Sequence, residues 1–171
     1  MLIINIIIFL IIAILLLLLS AVWPPDSPWA PWWRTDKKTA IAICKLANIK
    51  KEDVVYDLGC GDAEVLIQSA IVGATGVGIE IDPLRFLIAR LRILKNGLHK
   101  KINVRRNNFF NEDISKASVV IVYLVPVTLE KLIPKFKKEL KKGTRIVSFR
   151  YKMSAALKKE DKENKLYLYI I

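Results

Sequence analysis

The chain is predicted to fold as an α/β domain, a Rossmann-like and mostly parallel sheet with helices on both faces, preceded by one transmembrane helix. Three observations predict this. Apolar runs at 53–57, 76–81, 102–105, 119–125 and 144–149 are short and bounded by turn or acidic residues, as strands buried on both faces are. Segments with helical periodicity alternate with them. Residues 1–22 carry no charged side chain at all.

The N-terminal run from Leu2 to Val22 is interrupted only by Asn5 and Ser20. As a helix it is about 31 Å long, enough for a bilayer's hydrocarbon core. It lacks the basic start, short apolar stretch and small-residue cleavage site of a signal peptide, so a retained anchor is expected over 1–22. Nothing basic precedes the run, whereas Arg34, Lys37 and Lys38 follow it. The positive-inside rule then places the protein in the membrane as a single-pass chain with its catalytic domain in the cytoplasm. Membrane lipids are the partners expected for this helix. Residues 23–36 form a linker that holds four prolines and all four tryptophans. It suits a stiff tether at the headgroup layer, or a flap in which Trp32 and Trp33 reach the site. The formal net charge is +12, and every Lys and Arg lies beyond residue 33. That fits anionic headgroups or simple solubility; without interleaved surface aromatics no specific nucleic-acid partner is expected.

The domain proper covers 37–171. Ala40, Ile43, Cys44 and Ala47 recur at helical spacing before the first strand, 53–57. A helix over 63–71 follows the glycine turn, and strand 76–81 ends at an acid. Asp82 can cap the next helix, Pro83 suits its first position, and Leu84, Leu87, Ile88 and Leu91 form its apolar stripe. Gly97 ends it. Strand 102–105 leads into Arg106-Asn107-Asn108-Phe109-Phe110, and Val119 to Val125 reads as a buried strand. Leu129, Leu132, Ile133 and Phe136 mark a helix that Pro134 disturbs. A strand over 144–149 and a terminal one over 166–171 complete the sheet. Cys44 on a helix face and Cys60 in a turn do not suggest a disulfide, which suits a reducing compartment.

Ligands on such sheets bind at the carboxyl ends of the strands, where Asp57, Glu80, Asn108 and Tyr123 fall. The run Asp57-Leu58-Gly59-Cys60-Gly61 is a tight turn that lets the backbone approach a ligand. Glu80 follows nineteen positions after Gly61, where a carboxylate can hold ribose hydroxyls. A dinucleotide fingerprint places a third glycine at position 64, but Glu64 stands there and opposes a pyrophosphate at the helix N-terminus. S-adenosyl-L-methionine (AdoMet) has ribose hydroxyls, no phosphate, and two cationic groups that suit Asp57. The residues therefore favour AdoMet over a nicotinamide dinucleotide. No cluster has metal-ligand spacing, no nucleophile elbow occurs, and His99 sits alone among lysines.

In these motifs the chain resembles the class I, seven-strand AdoMet-dependent methyltransferases. The runs Ala117-Ser-Val-Val-Ile-Val-Tyr-Leu-Val-Pro126 and Lys141-Lys-Gly-Thr-Arg-Ile-Val-Ser148 are similar to the small archaeal and mitochondrial protein-lysine methyltransferases, several of which have an N-terminal membrane anchor. The resemblance covers roughly residues 30 to 171. It implies that Asp57, Gly59 and Gly61 surround the methionine moiety and that Glu80 holds the ribose. It further implies that Ile81 packs on the adenine, Asn108 meets the adenine edge, and the segment at Arg34 and Thr35 approaches the AdoMet carboxylate. Tyr123 is then the catalytic residue beside the transferring methyl. Asn108 stands where the family usually has Asp. The stretch from Tyr151 to Lys165 leaves little room for a full sixth strand. The activity so implied is N-methylation of a lysine on a protein at or near the membrane. A methyltransferase acting on a quinone-like or lipid molecule, and a non-catalytic AdoMet-binding membrane protein, are the alternatives.

Overall fold

The computed structural model describes residues 2–22 and 34–171; within the first helix it describes side chains for residues 3–16. Helix α1 (Leu2–Val22) precedes α2 (Lys37–Leu46), β1 (Val54–Leu58), α3 (Glu64–Val72), β2 (Thr75–Glu80), α4 (Pro83–Lys95) and β3 (Ile102–Arg106). A single 3₁₀ turn (Phe109–Asn111) is followed by β4 (Val119–Val122), α5 (Pro126–Glu139), β5 (Arg145–Phe149), β6 (Leu157–Asp161) and β7 (Leu166–Ile170). Seven strands form one sheet in the order β3-β2-β1-β4-β5-β7-β6. Strands β1 to β5 pair in parallel, and β7 runs antiparallel to both β5 and β6.

Strand alternation divides the core into two layers. Val55, Val119, Ile121 and Val147 pack with Ala40, Ile43, Leu66 and Ala89 of α2, α3 and α4. Tyr56, Leu58, Val120, Val122 and Ile146 pack with Leu129, Leu132 and Phe136 of α5. Helices thus cover both faces, as the pattern of the sequence predicts. Helix α3 lies unusually close to β2: a Cβ on Gly78 meets Cys60 Sγ at 2.7 Å and Leu66 Cδ1 at 2.8 Å. Only glycine fits there.

Four expectations are corrected. Strand β4 ends at Val122, not Val125, because its partner β1 ends at Leu58 and no ladder continues past the Leu58–Val122 pair. In α4 the buried face is Ala89 and Ile93. Leu84, Leu87 and Leu91 lie 45%, 51% and 57% exposed, on a row that does not reach the sheet. The segment from 151 to 165 does hold a full strand, β6, which pairs with β7 at the sheet edge through a register shift between Leu157 and Lys159. Pairing to one neighbour needs only five residues of extended chain, which the short segment supplies.

The fourth correction concerns the membrane. Among the described residues no helix is long and apolar enough to cross one. The expected transmembrane anchor, its lipid partnership and the single-pass, cytoplasm-facing localisation are therefore withdrawn. The Pro/Trp tether over 23–33, with Trp32 and Trp33, lies outside the described residues.

Candidate active site

The strand order reverses direction between β1 and β4, since β2 and β3 extend to one side of β1 and β5 to the other. Ligands on open α/β sheets bind in the crevice at such a switch point, outside the carboxyl ends of the strands. Here that crevice lies between the turn after β1 and the loop after β4. The two approach closely: a Cβ on Gly59 meets Leu124 Cδ2 at 3.6 Å.

The turn is built by backbone that side chains disfavour. Gly59 has φ +84°, a left-handed value that glycine adopts without strain. The N–H groups of Gly59 and Cys60 both donate to the Ile79 carbonyl, at 2.8 and 3.1 Å, which fastens the turn to β2. Glu80 completes the fastening. Its Oε2 accepts from Gly61 N–H at 2.9 Å, and its Oε1 accepts from Asp82 N–H at 3.0 Å. The side chain is buried. Each carboxylate oxygen has two lone pairs, so one on each remains for a pair of vicinal hydroxyls.

Carboxylates crowd this turn. Asp57 is buried, and its pKa is pushed up to about 7 by burial first, then by the negative charges of Glu80 and Asp62. Asp62 does not cap α3. Ala63 takes that place with φ 62° and no capping side chain. Asp62 instead accepts from Arg34 Nε at 2.7 Å and lies 2.5 Å from Arg92 Nη1. The Arg92 guanidinium also pairs with Glu64 and donates to the Asp62 carbonyl at 2.9 Å. Arg92 thus neutralises the acid that opens α3. Glu64 therefore opposes a phosphate less strongly than the sequence alone implies, and the case against a dinucleotide rests on Asp57.

The remaining residues fall around the same crevice. Ile81, half-buried, follows Glu80 directly. Asp82 caps α4 through Oδ1, which accepts from Arg85 N–H at 2.7 Å. Its Oδ2 is buried without a hydrogen-bond partner among the described residues. The backbone N–H of Asn107 donates to the Glu80 carbonyl at 3.2 Å, which brings the end of β3 beside the acid. Asn108 Oδ1 accepts from Phe110 N–H at 3.0 Å and caps the 3₁₀ turn. Thr35, half-buried, precedes the α2 cap Asp36. Tyr123 lies one residue beyond β4, with its ring 4.4 Å from that of Phe149. Burial raises the Tyr123 pKa, and the positive charge of Arg150 opposes the rise.

Sequence reasoning missed Arg92, Arg34 as an ion-pair partner of Asp62, and the buried second oxygen of Asp82, whose role as the α4 cap it did foresee. Only Arg92 left a signal: it is one of two basic residues in the last turn of α4, and it lies on the same face as buried Ala89. AdoMet suits the groups present. A buried acid whose nearest charges are negative calls for a cation, and a carboxylate already held by two N–H groups suits a ribose diol. The glycine turn admits close approach and presents no basic group for a phosphate.

Comparison with known proteins agrees. The ANTKMT methyltransferase domain model matches residues 57–160. A protein-lysine N-methyltransferase of Saccharolobus islandicus (strain REY15A) is 37% identical over 153 residues, 84% of this chain and 95% of its own. A lysine N-methyltransferase of Caenorhabditis elegans, named for an ATP synthase component, is 25% identical over 112 residues, 66% of this chain but 58% of its own. The solved structure of an RNA methyltransferase from Salinibacter ruber, in complex with S-adenosyl-L-homocysteine, has 36% sequence identity and a TM-score of 0.79. It covers 81% of this chain and is itself 94% covered.

Proposed function

The chain belongs to the ANTKMT methyltransferase family and is an AdoMet-dependent methyltransferase; from that premise we propose that it methylates the side-chain amine of a protein lysine. The observation that carries the substrate class is the 37% identity to a protein-lysine N-methyltransferase over nearly that relative's whole length. A relative of similar identity described as an RNA methyltransferase makes RNA the second reading.

Bound AdoMet supplies a methyl group on a sulfonium, which departs as a neutral thioether with the bonding pair when a nucleophile takes the methyl. The chain's own residues position and desolvate. Asp57 holds the cationic methionine end, where a positive neighbour draws its carboxyl back to the ionised form. Glu80 accepts from the ribose hydroxyls through the lone pairs its backbone contacts leave. Ile81 packs on the adenine and Asn108 hydrogen-bonds its edge. Thr35 meets the AdoMet carboxylate, and Gly59 and Gly61 keep the turn clear. A lysine nitrogen attacks with its lone pair, so it enters as the neutral amine, although its ordinary pKa is about 10.4. Tyr123 accepts from that amine and orients it, in a crevice whose apolar walls include Leu124 and Phe149. Alignment of this kind accounts for much of the rate of a displacement that needs no other chemistry from the protein.

The test is incubation of the full chain with radiolabelled AdoMet and, in separate arms, mixed cellular protein, RNA, and extracted lipid. Label in protein, mapped to lysine by mass spectrometry, supports the proposal. Label confined to RNA or lipid overturns it.

A further inference from the structure

Three strand ends stand in a row beside the switch point, β1, β2 and β3. Asp57 at the end of β1 suits the cationic methionine end of AdoMet, and Glu80 at the end of β2 suits the ribose. The base then extends toward the end of β3, where the chain presents the half-buried Asn108. Which side-chain atom of Asn108 is left for the base decides what the base must offer.

An amide's oxygen and nitrogen are told apart by their hydrogen-bond partners. Here the partner is a backbone N–H, that of Phe110, 3.0 Å from the side chain. An N–H bonds only an acceptor, so the atom it meets is Oδ1. The other atom is the NH₂ group, which has two hydrogens to donate and accepts nothing. Neither hydrogen is taken by a described residue. Turning the amide over would set N–H against N–H and remove the acceptor that caps the 3₁₀ turn.

The backbone that carries the amide is tied down on two sides. Asn108 N–H donates to Asn107 Oδ1 at 2.8 Å, and Asn107 N–H donates to the Glu80 carbonyl at 3.2 Å. The Asn107 amide nitrogen donates to Glu112 Oε1 at 2.9 Å. From α5, Lys135 Nζ donates to the carbonyls of Phe110 and Glu112, at 3.2 and 2.6 Å. The loop is thus fastened both to the residue that carries the ribose acid and to a helix of the core, and the amide meets a base edge in a set orientation.

Adenine offers that edge an amino group, which donates, and the flanking ring nitrogens N1 and N7, which accept. A carboxylate at position 108 would cap the turn with one oxygen and keep the other as an acceptor for the amino group. The amide keeps only donors, which oppose an amino group and suit a ring nitrogen. We propose that Asn108 is a specificity-determining residue: its Nδ2 donates to N1 or N7 of the adenine and does not read the amino group. This rests on the reading that the adenine edge lies at Asn108.

The experiment titrates the full chain by calorimetry with S-adenosyl-L-homocysteine, with its 1-deaza and 7-deaza forms, and with the form that lacks the amino group. Each deaza form replaces one ring nitrogen by C–H. The parent should bind one of the two about fivefold more weakly, as the loss of one hydrogen bond implies, and should lose less than about twofold without the amino group. In Asn108→Ala the deaza penalty should disappear, because its partner is gone. Asn108→Asp should weaken S-adenosyl-L-homocysteine at least about fivefold, since an acceptor then faces a ring lone pair. Its melting temperature should stay near that of the parent, because aspartate caps the same N–H. Tighter binding by Asn108→Asp, equal binding of both deaza forms by the parent, or a larger penalty for the missing amino group overturns the inference while leaving the adenine at Asn108. Unchanged affinity in Asn108→Ala overturns the placement of the adenine itself, and the inference with it.

Discussion

Asp57 sets how this fold responds to pH. Its carboxyl has an ordinary value of 3.8 and a folded value of about 7, raised by burial and by the charges of Glu80 and Asp62. The folded chain therefore holds a proton that the unfolded chain has released between those two values. Stability from this group is fully present below about pH 4, falls as pH rises toward 7, and is level above that. A shift of about three units corresponds to ~4 kcal/mol, an upper figure, across that window. Asp57→Asn removes the titration and keeps the shape. Urea denaturation of both chains without cofactor, at pH 5 and pH 8, isolates the effect in their difference. Groups such as Asp53, Glu112 and Asp161 have lowered values, so their contributions are lost only as pH falls through the acid range, and they cancel in the comparison. The asparagine variant should gain on the parent by about 2.5 kcal/mol between pH 5 and pH 8, since roughly two units of the titration lie in that interval. Equal pH dependence in the two chains refutes the reasoning. The same logic makes AdoMet stabilise the parent more at pH 8 than at pH 5, because a cation at Asp57 favours its ionised form.

Two further outcomes follow from the turn. Glu80→Ala should weaken AdoMet at least about tenfold in calorimetry, or about 1.4 kcal/mol. It should also lower the denaturation midpoint, because Gly61 and Asp82 each lose the acceptor of a buried N–H; unchanged affinity removes Glu80 from the ribose. Arg92→Ala leaves two nearly buried carboxylates short of a cation, although Arg34 still serves Asp62. The expected cost is about 3 kcal/mol by denaturant titration, and a loss below ~1 kcal/mol means solvent screens the pair.

Much of the sheet was legible because strands buried on both faces leave continuous apolar runs, and five of the seven were placed to within a residue or so. The errors share a cause: each turns on what a neighbour does. Whether β4 extends to Val125 is impossible to judge from the run Val119 to Val125 alone, since the strand stops where β1 stops. The apolar row of α4 reads as its core face until the sheet selects Ala89 and Ile93 instead. Strand β6, with Lys158, Lys159, Glu160 and Asp161, has the charge of an exposed edge and too little apolar content to register as a strand. The charge-free N-terminal run reads as a span by length and composition, and no membrane-crossing helix stands among the described residues.

At the site, sequence spacing located Asp57, Glu80 and the glycines but not how their charges are divided. That division decides what the crevice can bind. Asp62 and Glu64 are satisfied by arginines from outside the turn, and Glu80 by two backbone N–H groups. Asp57 is acted on instead by other acids, and a proton stabilises it. A phosphate-bearing ligand would add negative charge where the fold already raises a carboxyl's pKa to about 7. A ligand with an ammonium and a sulfonium does the reverse, since it offers Asp57 the counter-charge that the neighbouring strands withhold. Arg92 matters for the same reason. By pairing with Asp62 and Glu64, it leaves Asp57 as the acid whose neighbouring charges are other acids, and on which a cationic ligand gains most.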